Sequence, residues 1–260
     1  MPTLNNKYFA VTGAASGIGQ ATVLRLVKLG AAGIAISDVD EKGLAETAKL
    51  CDSSSSAKII INKVDVSNTV QVEEWIKSAV AAFGQLDGCA NVAGIALGEG
   101  EITEDINQGG WDRMLSINLT GTMNCMRAQL KHLARPGGSI VNVSSTSGLR
   151  GLPNNAAYAS SKFGVIGLTE STAAEYGKKG IRVNAVLPGP IDTKIFREGE
   201  AKGLFNADIV SGGTLMGRMG KATEVANVLC FLLSDDASYV TGAHWTCDGG
   251  YSACGFYTAG

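Results

Sequence analysis

The chain has 260 residues and a mass of 26.8 kDa, and it is 45% apolar, which suffices for a large core and excludes a disordered chain. Its formal net charge is −2 without a basic stripe or charge block, so neither nucleic acid nor membrane is an expected partner. Six cysteines (51, 89, 125, 230, 247, 254) lack any Cys-x-x-Cys and are joined by only two histidines, so no metal site is expected and buried reduced thiols are.

The first residues, Met1 to Lys7, show no charged-then-apolar leader, and the apolar run Val228 to Leu233 is too short to span a bilayer. A soluble cytoplasmic protein is the expectation. Short β-rich runs are predicted at Tyr8–Thr12, Gly33–Ser37, Lys58–Val64, Leu86–Asn91, Ser139–Val143, Ile181–Leu187 and His244–Cys247. Most are near-continuous apolar stretches, as parallel strands covered on both faces require. Helix-patterned segments separate them, so the expected fold class is α/β: a Rossmann-type, doubly wound, seven-stranded parallel sheet with helices on both faces. No repeat and no linker divides residues 1–260, and the polar stretch Cys51 to Ala57 reads as a surface loop. One domain is expected.

The first strand runs into Gly13, Gly17 and Gly19, spaced Gly-x-x-x-Gly-x-Gly. Such a turn lets backbone approach a pyrophosphate and aims the next helix's N–H groups at it. Ile18, Val23, Leu26 and Val27 continue that helix at core spacing. The second strand ends at Asp38, where a carboxylate can hold both ribose hydroxyls and repel a 2′-phosphate. Ser16 and Val39 supply no cation to offset that repulsion, so NAD(H) is favoured over NADP(H); a loop-starting or capping Asp38 is the alternative. Asp65-Val66 closes the third strand, where the carboxylate either meets an adenine amino group or caps a helix. Asn91, Val92, Ala93 and Gly94 end the fourth, and Gly94 allows close approach to a cofactor ribose.

A long helix is predicted from Trp111 to Ala134, interrupted at Gly121. Asn118 inside it is disfavoured by propensity and has either a functional or a helix-bending role. The fifth strand leads to Ser144, Ser145 and Ser147, at the sheet end where α/β ligands bind, unless these serines merely form a turn. Tyr158 and Lys162 then fall on one helix face. Bringing a phenol from pKa ~10 to ~7 takes about 4 kcal/mol. One cation at ~4 Å supplies about that much at an effective dielectric near 20. Lys162 can therefore ready Tyr158 for proton transfer, provided burial does not cancel the gain. Small residues Ala159, Gly164, Gly167 and Ala173 let this helix approach another closely. The sixth strand ends in Pro188, Gly189, Ile191 and Thr193, and the glycine-punctuated segment 194–218 reads as either a lid or a short ordered helical pair. Leu149, Ile195, Phe196, Leu204 and Phe205 would give an apolar substrate pocket, with Asn154 or Asn155 as a polar contact.

Together these strings, with Asp248-Gly-Gly250, resemble the single-domain branch of the short-chain dehydrogenase/reductase superfamily over nearly the whole chain. By that resemblance Tyr158 is the general acid/base, Lys162 lowers its pKa and binds the nicotinamide ribose, and Ser145 orients the substrate oxygen. Asn118 would anchor a water leading from Lys162, and Ile191 and Thr193 would meet the nicotinamide carboxamide. Ser16, Ile18, Asn91, Ala93, Pro188 and Gly189 complete the expected cofactor contacts, and the resemblance implies homotetramers or homodimers assembled through the helices after the fourth and fifth strands. One departure is Val92, where the family's string carries a second Asn; its loss would bear on stability. The stretch between Gly94 and Asn118 also runs a few residues longer than the resemblance implies, reshaping the substrate mouth. The expected activity is NAD(H)-dependent interconversion of a secondary alcohol and a ketone on a compact hydrophobic ring compound of secondary metabolism. The alternatives are a ketoreductase acting on a carrier-bound acyl chain and a non-catalytic NAD-binding protein.

Overall fold

The computed structural model describes residues 4–52, 57–96, 101–201, 203 and 206–253. The predicted pocket residues Leu204 and Phe205 lie outside the described residues, as do Cys254, most of the loop predicted over 51–57 and most of the 98–101 glycine stretch.

Strands β1 (Tyr8–Thr12), β2 (Gly33–Asp38), β3 (Lys58–Lys63), β4 (Gly88–Asn91), β5 (Ser139–Val143) and β6 (Arg182–Pro188) join one sheet. Two short strands, β7 (Ile191–Asp192) and β8 (Gly220–Lys221), pair with each other, and β9 (His244–Cys247) closes the large sheet. Its order is β3-β2-β1-β4-β5-β6-β9, and every pairing is parallel. All seven predicted strands occur. The fourth starts later than expected, because Leu86 makes only an isolated bridge to Leu133.

The apolar runs are continuous because alternate residues serve opposite faces. Phe9, Val11, Ile34 and Ile36 pack with Leu26 and Val27 of α1 (Gly17–Lys28) and with Val225 and Leu229 near the C-terminus. Ala10, Ala35 and Cys89 point the other way, under Trp75 and Ile76. Helix α2 (Glu41–Asp52) crosses back from β2, and α3 (Thr69–Phe83), which carries Trp75, crosses from β3. The sheet edges β3 and β9 depart from the apolar rule, since each has one neighbour and a largely open surface.

The predicted 111–134 helix needs correction. It begins earlier, as α4 (Gln108–Leu115), passes through a π turn over Ser116–Thr120, and resumes as α5 (Gly121–Gln129). The break is centred on Asn118, and Gly121 opens the second half, where a Cβ would strike Val66 Cγ2 at 2.6 Å. Helix α6 (Ala156–Tyr176) follows β5 and carries Tyr158 and Lys162. The 194–218 segment holds two short helices, α7 (Lys194–Ala201) and α8 (Ala207–Gly212), in line with the helical-pair alternative. Helix α9 (Ala222–Leu233) lies beside α1.

Among the described cysteines, Cys51, Cys89, Cys125 and Cys230 are buried, and Cys247 is half-buried. Burial pushes the Cys125 and Cys230 thiols up to about 12. No helix of the described residues is long and apolar enough to cross a membrane. The small residues of α6 divide in use. Gly164 serves a contact within the chain, its missing Cβ leaving room for Leu119 Cδ2, whereas Gly167 meets nothing within 4 Å.

Candidate active site

The chain winds outward from β1 through β2 to β3, then returns to β4 and proceeds the other way, so the winding reverses between β1 and β4. At such a reversal an open α/β sheet has its ligand crevice, outside the carboxyl ends of the strands. A buried hydroxyl fixes its walls: the Val92 and Ala93 N–H groups both donate to Thr12 Oγ1 at 3.0 Å. Thr12 had no role in the sequence reading; its only signal was its place before Gly13.

Gly13 has φ +67, and a Cβ there would lie 2.8 Å from Ala93 N. Gly19 is still tighter, because a Cβ would stand 2.0 Å from Gly13 O. Gly19→Ala is therefore expected to cost about 3 kcal/mol, as overpacking against rigid backbone does. Denaturant unfolding checks this, and a wild-type midpoint would contradict it. Gly17 has φ +54, and a Cβ there would lie 3.4 Å from Thr193 Cγ2, so the first turn and the post-β6 loop are neighbours. Ser16 precedes α1 in an extended conformation without capping it by its side chain, and Ile18 packs against the core. The first turn of α1 contains no acidic residue, so its amides remain suited to an anion.

Asp38 Oδ2 accepts the Ala15 N–H at 3.1 Å and Oδ1 accepts that of Asp40 at 3.1 Å, which holds the carboxylate beside the glycine turn. Asp65 does not cap α3. Its Oδ1 accepts from the Ser67 N–H and hydroxyl, while Asn68 is the cap, accepting from Val70 and Gln71. Val66 is buried against Gly121, and its carbonyl accepts from Asn124.

The side chain of Asn91 is spent inside the protein. Its Nδ2 donates to Gln129 Oε1 at 3.1 Å and Asn142 Oδ1 at 2.9 Å, and Gln129 Nε2 donates back to Asn91 Oδ1 at 2.8 Å. This satisfied buried network ties β4 to β5 and α5. Any contact of Asn91 with a cofactor therefore falls to its backbone, the side chain being engaged within the protein. It also does the tying whose loss was expected at Val92, which packs against the core instead.

Asn118 is fully buried in the π turn. Its Oδ1 accepts the Ile95 N–H at 2.8 Å, and its Nδ2 donates to Ile95 O at 2.9 Å and Ser161 Oγ at 3.1 Å. The Thr122 hydroxyl takes the Asn118 carbonyl at 2.7 Å. The side chain is thus a clamp on the loop after β4. Gly94 lies against this clamp: a Cβ would be 3.1 Å from Asn118 Oδ1 and 3.3 Å from Lys162 Nζ.

Lys162 is 4% exposed, and its Nζ donates to Val143 O at 3.0 Å. The ammonium stands 5.7 Å from the centre of the half-buried Tyr158 ring. Burial lowers the lysine to about 8. Burial also raises the Tyr158 hydroxyl, while its hydrogen bond with Ser145 pulls the other way. Burial thus works against ionisation of the phenol in this structure, which is the condition the expected help from Lys162 was made subject to. Ser145 Oγ accepts the Ser147 N–H at 3.1 Å, which leaves its own proton to donate. Ser144 Oγ donates to Lys162 O at 2.8 Å, joining the β5 end to α6.

The remaining candidates are unevenly placed. Ser147 is buried and bonded to the half-buried Asn155. Leu149 and Ile195 are 38% and 41% exposed, so these two do not form a closed apolar wall. The Phe196 N–H donates to Thr193 Oγ1 at 3.4 Å. Ile191 is buried, with Cδ1 filling the space that Gly220 leaves. Pro188 ends β6 beneath Gly189, where a Cβ would collide with Asp248 Cβ at 2.6 Å; that glycine is required by packing.

Sheet order, crossover helices and a glycine turn at the winding reversal define a Rossmann-type α/β protein. A family model described as Enoyl-(Acyl carrier protein) reductase matches residues 13–252. The short-chain dehydrogenase/reductase ABA4 of Pyricularia oryzae is 42% identical over 254 residues, covering 95% of this chain and 93% of that protein. The cyclohexanol dehydrogenase of Acinetobacter sp. is 39% identical over 252 residues, covering 96% of each. The crystal structure of levodione reductase matches with a TM-score of 0.91 at 35% identity, covering 97% of this chain and 100% of that one. The chain belongs to the short-chain dehydrogenase/reductase family, and it is an oxidoreductase of that family.

Proposed function

We propose that the protein interconverts a secondary alcohol and a ketone on a small hydrophobic, cyclic substrate, using NAD(H). The observation that carries this reading is the meeting of Ser145, Tyr158 and Lys162 at the carboxyl end of β5, beside Gly94. The cyclohexanol dehydrogenase relative supports a ring substrate.

The residues present fit a dinucleotide. The space between Gly17 and Thr193 is one a Cβ would enter, and the first turn of α1, which begins there, has no side-chain cap. Asp38 would hold the adenosine ribose, Asp65 and Val66 the adenine edge, and Ala93, Gly94 and Lys162 the nicotinamide ribose. Backbone at Pro188, Gly189 and Ile191, together with Thr193, would meet the nicotinamide end. When bound, the nicotinamide supplies hydride acceptance or donation.

The chain's residues handle the proton. In reduction, the Tyr158 hydroxyl donates its proton to the substrate oxygen, which the Ser145 hydroxyl holds by a hydrogen bond. In oxidation, the Tyr158 phenolate oxygen takes that proton back. Protonated Lys162 favours the phenolate. Burial opposes it, so oxidation is expected to accelerate as pH rises.

The test is a panel of alcohols and ketones with both cofactors at neutral and alkaline pH. Turnover of ring alcohols with NAD supports the reading, and tight NAD binding without turnover on any member overturns it. Asp38→Asn removes the charge that repels a 2′-phosphate while retaining an acceptor. It is expected to narrow the NADH-over-NADPH ratio of kcat/KM by about tenfold or more, equivalent to ~1.4 kcal/mol. An unchanged ratio would remove Asp38 as the selector. A carrier-bound acyl substrate is the second reading, favoured by the description of the family model, and turnover of a carrier thioester above ring ketones would select it.

We also read residues 1–260 as one cytoplasmic domain acting in secondary metabolism and assembled as a homotetramer or homodimer.

A further inference from the structure

Beside the proposed carbonyl site lies a pair of polar side chains that neither the proton-transfer residues nor the helix consumes. Asn155 occupies the position just before α6, where an Asn oxygen ordinarily accepts an amide hydrogen from the first turn. It makes no such cap. Asn154, in the left-handed region at φ 59, turns the chain just ahead of it, and Asn155 Nδ2 donates to Ser147 Oγ at 3.2 Å. Ser147 is 7% exposed, and its N–H already serves Ser145 Oγ at 3.1 Å. Two groups are left over among the described residues: the Ser147 hydroxyl proton, a donor, and Asn155 Oδ1, an acceptor.

We propose that Ser147 and Asn155 form a second oxygen-binding station, and that the substrate carries a second hydroxyl or carbonyl on the ring that bears the reacting carbon. This rests on the alcohol–ketone reading given above. The two serine hydroxyl oxygens stand within about 7 Å of each other, since a serine's own N and Oγ are less than ~4 Å apart. Both therefore address one small ring. The second oxygen undergoes no redox change: one hydride and one proton still move, at the carbon and oxygen held by Ser145 and Tyr158. A hydroxyl engages the station twice, accepting from Ser147 and donating to Asn155 Oδ1, whereas a carbonyl engages it once. Ring diols and hydroxyketones should accordingly surpass diones, and diones should surpass monofunctional rings.

The test compares kcat/KM for cyclohexanol with the cyclohexane-1,2-, 1,3- and 1,4-diols, using wild type, Ser147→Ala and Asn155→Ala, with NADH binding as the check that each variant is folded. At least one diol should exceed cyclohexanol by about tenfold or more in wild type, and both variants should bring that ratio to within about threefold of one. Turnover of cyclohexanol with no diol preference in wild type overturns this inference and leaves the alcohol–ketone reading standing. A preference that survives both substitutions overturns it as well. Should either variant fail to fold, the wild-type panel decides alone. No turnover across the panel overturns the alcohol–ketone reading itself, and the second station with it.

Discussion

Tyr158→Phe is expected to lower kcat/KM by about 10²–10⁴-fold, the usual worth of a positioned acid or base. The substitution removes one oxygen and keeps the ring in its half-buried place between α6 and Ser145. Cofactor affinity should remain near wild type, because the glycine turn, Asp38 and Lys162 are untouched. Loss of turnover with retained NADH binding is the expected pair of results, read by steady-state kinetics and fluorescence titration. Activity within tenfold of wild type would remove Tyr158 from the proton's path. The wild-type pH profile supplies a second reading of the same group. Its hydroxyl is pushed up by burial, so oxidation should climb through the neutral and alkaline range while reduction falls.

Lys162→Met is expected to separate stability from activity. The ammonium is held at about 8, against an ordinary value of 10.5, by burial. Near pH 11 the lysine is neutral in both folded and unfolded chains. As pH falls towards 8, the unfolded chain takes up a proton that the folded chain refuses, so wild type loses stability across that window. Below pH 8 both states are charged, and the accumulated cost of about 3 kcal/mol stays constant. Methionine has no such cost, though it forfeits the hydrogen bond to Val143 O, worth about 1 kcal/mol. The variant should thus exceed wild type by ~2 kcal/mol at pH 7.5, lose that advantage by about pH 10.5, and be nearly inactive. Urea unfolding at the two pH values measures it, and a pH-independent difference would contradict the account. The buried thiols do not confuse the comparison. Cys125 and Cys230, at about 12, keep protons that an unfolded chain releases near 9, so both proteins weaken above that pH alike.

Much of this molecule is legible from residue order. Parallel strands buried on both faces must be apolar along their length, so Val11, Ile34, Ile36 and Val141 announce the sheet. Glycines forced by φ or by backbone contact, such as Gly13 and Gly19, announce the turn. The π turn left only a weak trace, one Asn in a helical stretch, since helix propensity does not reveal which carbonyl Thr122 will take. Asn91 and Asn118 were equally opaque: an Asn in a motif shows no sign of whether its amide meets a ligand or a buried neighbour. The segment 194–218 carried too few apolar repeats to separate a lid from paired helices.

Sequence alone determined the strand-and-helix alternation, the glycine turn, and the four-residue spacing of Tyr158 and Lys162, because each depends on local sterics or a fixed helical period. Tertiary structure alone decided that Asn91 belongs to the core, that Asn118 clamps Ile95, and that Ser147 meets Asn155, since those partners lie 8 to 51 residues apart. It also decided the electrostatics of the tyrosine–lysine pair. Spacing fixes how near two groups stand, but only the surrounding atoms set how much water each has lost, and here that loss raises the phenol and lowers the amine.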